Sequence, residues 1–236
     1  MTVDQSRKRI AEFLGLTDMT DNPVLDGLFY DKLNMAMADT TTDLLWPIKI
    51  STIGPFTGGS ISITGISNIR TDMIFSIRAV GGYGELPVRL ATPIEAQNLK
   101  DVIPSYRKSP QLAALDQAQG LLTVLPAPSV SNPITQLIVS HGINHPVLSS
   151  ANLADELLSG YASGYHDLVC FNATARLAHA FPSDVYGELA KEMDGEYVKQ
   201  GIQAFNMIHQ AGLVLPQMMG VKSRFMIETG KERAQS

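Results

Sequence analysis

Apolar residues in Pro23–Asp39 fall at Leu25, Leu28, Phe29, Leu33, Ala36 and Met37, close to the i, i+3, i+4 spacing of a half-buried helix. Pro23 suits the first helical turn, and Asp21 or Asn22 can cap it. The run Thr40-Thr41-Thr42 disfavours helix, so the element is expected to stop there. From Trp46 to about Ile143 the period changes. Ile48, Ile50 and Ile53 open a β pattern, GGSISITGI alternates Ile61, Ile63 and Ile66 with Ser and Thr, and MIFSIRAV continues it. Gly58-Gly59 and Gly81-Gly82 are placed for hairpin turns, where positive φ costs glycine little. LPVRLA at 86–91 predicts a strand, and Pro93–Val102 one or two helical turns. In LLTVLPAPSVSNPITQLIVSHG a strand ends at Pro126 and another runs over Ile134–Ser140, which predicts a hairpin with a Pro-rich tip.

Helical spacing returns in the last third. Ser149–Leu158 is a short amphipathic segment. In Tyr161–Phe181 one stripe holds Leu168, Phe171, Ala175 and Ala178, and an adjacent one Val169, Ala173, Leu177 and Ala180. A helix apolar over so much of its circumference is packed on several sides. Pro182-Ser183-Asp184 interrupts it and starts a further helix to Gln210, with Ser183 as N-cap. Gly195 and Gly201 weaken that helix by about 1 kcal/mol each relative to Ala, which invites close packing or bending. Gly212 and Pro216 end it, and Gln217–Ser236 has no periodicity. The expected fold class is α+β: an α-helical bundle with an inserted β-sandwich or barrel-like module and an extended C-terminal tail. The expected divisions are 1–42 helical, 43–146 inserted β module, 147–215 helical and packed with 1–42, and 216–236 tail.

Composition adds interfaces to this picture. Hydrophobic residues make up 44% of the 236, enough for a core, whereas charged residues are only 17%, below the roughly 25% of an average globular protein. Neutral surface is the material of lasting protein contacts. The net charge of −5 is unevenly spread: residues 1–14 balance at +1, residues 216–236 at +2, and the stretch between carries −8. An acidic body with mildly basic ends lacks the basic stripe of a specific DNA reader. Cys170 stands alone, excluding a disulfide framework or a Cys-based zinc cluster. MTVDQSRKRIAEFLGL lacks the apolar run of a signal peptide, and no run of about 18 apolar residues occurs, so a cytosolic origin without a membrane span is expected.

Candidate chemistry is sparse. GGYG at 81–84 is followed by Glu85-Leu86-Pro87 and a strand, not by the Gly-Lys-Ser/Thr and helix that a phosphate loop needs, so it reads as a turn. His141 and His145 have a zinc-like spacing but sit in HGINHP, read as a loop without a Glu base. His166 and His179 lie thirteen apart on one helix and read as satisfied or surface histidines. Gly160–Gly164 (GYASG) has the wrong order for a nucleophile elbow. Glu188, Glu192 and Glu196 recur at i+4, but the Glu-x-x-His pairs of di-metal bundles are missing, leaving a solvated acidic face. Cys170 reads as an inert core thiol. No catalytic residue, metal site or cofactor is expected.

Two segments together resemble the head-to-tail adaptor (connector) family of short-tailed bacteriophages, the family of tail tubular protein A. The first is LTVLPAPSVSNPITQLIVSHG, then NHPVLSSANLADELLSGY, then HDLVCFNATARLAHAF and AFPSDVYGELA, in that order. The second is DKLNMAMADTT running into DLLWPIKI and a meander ending in ELPVRLAT. The order carries the resemblance, which spans most of 24–211; the first 20 residues and 217–236 match nothing in it.

The resemblance implies a non-enzymatic virion protein of the neck and tail, assembled in the host cytoplasm. Such subunits form a ring, typically a dodecamer, below the portal protein and continue the DNA channel towards the tail nozzle or tube. The implied partners are further copies of itself, the portal, the tail nozzle, and double-stranded DNA passing without sequence readout. In this family a C-terminal segment often docks along the portal. Here that role would fall to Val221, Lys222, Arg224, Phe225, Met226 and Ile227, with Phe225, Met226 and Ile227 expected to be exposed until they order on binding. Glu188, Glu192 and Glu196 are the expected channel-facing acids, since favourable phosphate contacts scale with Lys and Arg. The alternatives are another neck or tail subunit, such as a nozzle or head-closure protein, and an enzyme with a dispersed site built on His166 or His209 and a carboxylate.

Overall fold

The computed structural model describes residues 1–54, 59–82, 84–100, 112–128, 134–157, 163–181, 184–209 and 223–226. It is an α+β protein. Two compact units divide it: Met1–Pro47 with the described residues from His145 onward, and Ile48–Asn144.

The first unit is helical. α1 (Val3–Phe13) starts at Thr2, whose hydroxyl and Gln5 form a reciprocal capping box. α2 (Pro23–Leu44) starts as its sequence predicts, with Asn22 capping Leu25 N–H and Pro23 in the first turn. It does not stop at the threonines. Thr41 and Thr42 both turn their hydroxyls back to Ala38 O, and Thr40 and Thr41 are buried, so packing and back-bonding override propensity. Leu45, in the left-handed region, ends the helix instead. The segment expected as a helix over 149–158 is a single 3-10 turn, Ser150–Asn152, capped by Ser149; Leu158 lies outside the described residues.

α4 (His166–His179) follows a 3-10 turn at Ser163–Tyr165. It lies against α1, α2 and α5 (Asp184–His209). Three packed sides explain the all-round apolar sequence: Leu168, Val169, Cys170, Ala173, Leu177 and Ala178 are all buried. Of the two expected stripes only Ala180 is exposed. The expected cap Ser183 lies outside the described residues.

The second unit holds a seven-stranded mixed sheet of order β1-β7-β3-β4-β5-β6-β2. The strands are β1 (Ile48–Ile53), β2 (Ser60–Ser62), β3 (Ile69–Gly81), β4 (Gly84–Ala91), β5 (Leu112–Asp116), β6 (Leu121–Leu125) and β7 (Ile134–Ile143). β3 and β4 form the hairpin expected at the second glycine pair, closing on Gly81 opposite Gly84, and the positive φ falls on Gly84. β4 and β5 are parallel. Between them in sequence lies α3 (Pro93–Lys100), as a parallel crossover requires. β5 is buried on both faces: Ala113 and Leu115 join the main core with Ile77, Leu122, Val124 and Leu137, whereas Leu112 and Ala114 pack with Ala96 of α3.

Two expected hairpins are absent. β6 pairs with β5 and β2, while β7 pairs with β1 and β3, so the Pro-rich stretch after Leu125 joins strands that are not neighbours. Its eight residues, 126–133, exceed the usual hairpin loop of about two to five. Likewise β1 and β2 occupy opposite edges of the sheet, so Gly58-Gly59 joins no hairpin.

Candidate functional site

Every α-helix leaves its last carbonyls without intrahelical donors. In α2 two of them, on Asp43 and Leu44, are satisfied by residues far along the chain. Ser223 Oγ donates to Asp43 O at 2.5 Å, and His209 Nε2 donates to Leu44 O at 2.9 Å. Ser223 also caps a short helical turn, 224–226, by accepting from Met226 N–H at 3.1 Å.

That turn is seated on α5 and the end of α2. The Arg224 guanidinium grips Asp194 with two parallel bonds of 2.8 Å each, and Arg224 N–H donates to Asp43 Oδ1 at 2.9 Å. Tyr197 Oη donates to the other oxygen, Asp43 Oδ2, at 2.8 Å. Phe225 lies against Tyr197 with ring centroids 5.1 Å apart. Its ring covers Gly201, where an added Cβ would come within 2.0 Å of it. The absent side chain is the seat.

Electrostatics follow from this placement. Burial pushes the Asp43 carboxyl up, against the Arg224 N–H and Tyr197 hydroxyl, which pull it down. Burial, and next the Asp43 charge, push the Tyr197 phenol up. The Arg224 fork holds Asp194 below the usual carboxylate range, and Asp194 in turn raises Arg224. Burial lowers His209, with its bond to Leu44 O opposing. Further along α4, Arg176 pairs with Asp39 and donates to Asn172 Oδ1 at 2.9 Å, extending a chain of polar contacts across α2, α4 and α5.

The expected docking residues divide. Val221, Lys222 and Ile227 lie outside the described residues. Phe225, expected to be exposed, is 0% exposed and part of the helical core, whereas Met226 is 39% exposed. A large aromatic beside a helix glycine has an apolar seat within its own chain, and burial there removes the need for a partner. The segment expected to be extended is, at 224–226, a helical turn.

The remaining candidates are scattered. Glu188 and Glu192 are exposed on α5, while Glu196 is half-buried and bonded to Gln200 and Lys199, which in that order lower its carboxyl. His141 is not in a loop: it is fully buried on β7, its Nδ1 2.7 Å from Gly142 O and its Nε2 2.9 Å from Ser51 Oγ of β1. It works as a cross-strand link, and burial lowers its pKa. His166 is buried, with Nδ1 2.6 Å from the Met1 amino group, and His179 is exposed. Cys170 is buried, and its thiol is pushed up to about 12 by desolvation. Of GYASG, residues 160–162 lie outside the described residues, and Ser163 and Gly164 enter the 3-10 turn before α4. Among the described residues no group of three or more His, Cys, Asp or Glu is placed to hold a metal ion. No described helix is long and apolar enough to cross a membrane.

Sequence reading missed the receiving half of this site: Asp43, Asp194 and Tyr197. Two signals were available: Gly201 in mid-helix, and Ser223 before Arg-Phe-Met, a capping residue opening a helical turn. In comparison with known proteins, no family model matches the chain and no curated protein matches it.

Proposed function

We propose that this chain is a structural subunit of a virion neck, an adaptor that forms a ring below the portal and continues the DNA channel to the tail. The observation that carries the reading is the order of the parts: one helical unit assembled from segments on both sides of a continuous β unit, Ile48–Asn144. This order suits the helical bundle with inserted sandwich- or barrel-like module that the adaptor resemblance implies. Low charge, at 17% of residues, suits a subunit with much of its surface in contact with neighbours.

The seated turn refines the role of the C-terminus. Ser223, Arg224 and Phe225 act as an anchor, so portal docking falls to Met226 and the residues after it. Glu188 and Glu192 are the proposed channel-facing acids; Glu196 is partly neutralised by Lys199. The proposed partners are further copies, the portal, the tail nozzle and passing DNA.

Cryo-electron microscopy of the parent particle tests the reading: the chain is expected as a ring between portal and tail. Density for it anywhere else, a nozzle or closure position included, would refute it. Deleting 227–236 is expected to leave the helical unit folded and to abolish capture by purified portal. Undiminished capture would remove the docking role.

A further inference from the structure

We infer that Met1, His166 and Cys170 form a binding site for one soft monovalent metal ion, Cu(I), held by the imidazole, the thiolate, the Met1 thioether and the Met1 amino group. Two of these donors share a face of α4, since His166 and Cys170 are neighbours across one helical turn. The other two belong to a single residue. The Met1 amino nitrogen lies 2.6 Å from His166 Nδ1, and the Cys170 thiol donates to Met1 Sδ at 3.7 Å. Terminal residues ordinarily fray, but Met1 is held in place. Leu157 N–H donates to Met1 O, Val3 N–H to Asp155 O and Asp4 N–H to Leu153 O, each at 3.0 Å. Backbone pairing positions one half of the site and a buried helix the other, before any ion arrives.

The spacing suits a tetrahedral ion. Bonds of about 2.3 Å set two sulfurs about 3.8 Å apart, and the pair here is already at 3.7 Å. Bonds of about 2.0 Å set two nitrogens roughly 3.3 Å apart. From 2.6 Å the amine and imidazole therefore part by under about 1 Å as the ion replaces their hydrogen bond. Softness and charge choose the metal. A thiolate beside a thioether favours Cu(I) over hard cations. Cys170 is 0% and His166 1% exposed, so thiolate and monovalent ion cancel there, whereas a divalent ion would leave net charge in the core. Desolvation, and next Asp167, push the free thiol up, with Arg9 and the Met1 amino charge opposing, so the metal takes the place of a proton. Binding releases one proton from the thiol and one from the ammonium; copper stays Cu(I) and nothing is oxidised. Met1 is half-buried, which gives the ion a path in.

Anaerobic titration with Cu(I) alone tests the site on the full-length chain, its Met1 verified by intact mass. A one-to-one adduct is expected by native mass spectrometry, with both sulfur and nitrogen neighbours of copper in X-ray absorption. Cys170→Ser should weaken binding at least about a hundredfold against a competing chelator.

Cys170 is a core residue, so a second form leaves the core untouched. Methionine aminopeptidase accepts a small second residue such as Thr2, and the chain freed of Met1 during expression lacks two donors. It should lose affinity by at least the same factor. Undiminished Cu(I) binding by either form, no adduct with the full-length chain, or copper with sulfur neighbours only would overturn the site. The inference is independent of the virion reading: it concerns an ion held within one chain, and imaging of the particle tests the other.

Discussion

Replacing Gly201 by Ala should destabilise the helical unit, although Ala is the better helix former. The two effects oppose each other and can be separated. In mid-helix Ala is favoured over Gly by about 1 kcal/mol. Against this, an added Cβ would lie 2.0, 2.3 and 2.7 Å from three atoms of the Phe225 ring, so the ring must leave its seat. Burying a Phe side chain fully is worth about 1.5–3 kcal/mol. The net loss for Gly201→Ala is thus about 0.5–2 kcal/mol. Phe225→Ala should lose about 1.5–3 kcal/mol, below the 3–5 usual for a core Phe, because a terminal turn can undock rather than leave a cavity. With Phe225 already removed, Gly201→Ala should change sign and stabilise by about 1 kcal/mol. Urea unfolding of the four proteins measures the cycle. The chain's single tryptophan, Trp46, reports on the helical unit, where its backbone N–H donates to Thr41 O. Stabilisation of the otherwise unaltered protein by Gly201→Ala would refute the seat.

Three further outcomes rest on the titrating groups. His209 has a lowered pKa, so the unfolded chain binds its proton first and stability falls as pH drops below the ordinary histidine value of about 6.5; His209→Gln should flatten the stability–pH curve there, and an unchanged curve would contradict its burial as a neutral donor. The lowered Asp194 contributes stability that is present above the unfolded carboxylate value of about 3.9 and lost as pH falls through its folded value; Asp194→Asn should cost about 0.2–1 kcal/mol at neutral pH, for a half-exposed pair, and less at about 1 M salt. Cys170, buried with its thiol pushed up to about 12, should resist alkylation by iodoacetamide at mildly alkaline pH until the protein unfolds, and rapid labelling of the native chain would show the site to be open.

Several local signals were legible where neighbours in sequence are neighbours in space. Asn22 and Pro23 start α2, the β3–β4 hairpin closes at the second glycine pair, and α4 is as buried as its apolar circumference requires. Strand pairing was less legible. β6 and β7 succeed each other across a proline-rich stretch, but each finds its partners among strands distant in sequence, and side-chain alternation says which face is buried, not which strand lies alongside. The end of α2 escaped for a related reason. Three threonines are poor helix formers, but their cost is met by hydroxyl bonds to Ala38 O and by packing that no local window contains.

The C-terminal turn carries the same lesson into function. Arg224, Phe225 and Met226 have the composition of a segment that orders on a partner, and the same composition suits one that orders on its own body. Burial of an aromatic and pairing of a guanidinium are chemically indifferent to whose surface supplies the seat. The receiving half separates the two cases, and here it is present in the same chain. Gly201 makes room for the ring, Asp194 faces the fork, and Asp43 offers α2's uncapped carbonyl. The turn is therefore a completed contact, and any partner that takes it must offer at least as good a seat. A portal would have to exceed it or bind the residues beyond Phe225, and for that reason the proposed docking is placed at Met226 and the positions C-terminal to it.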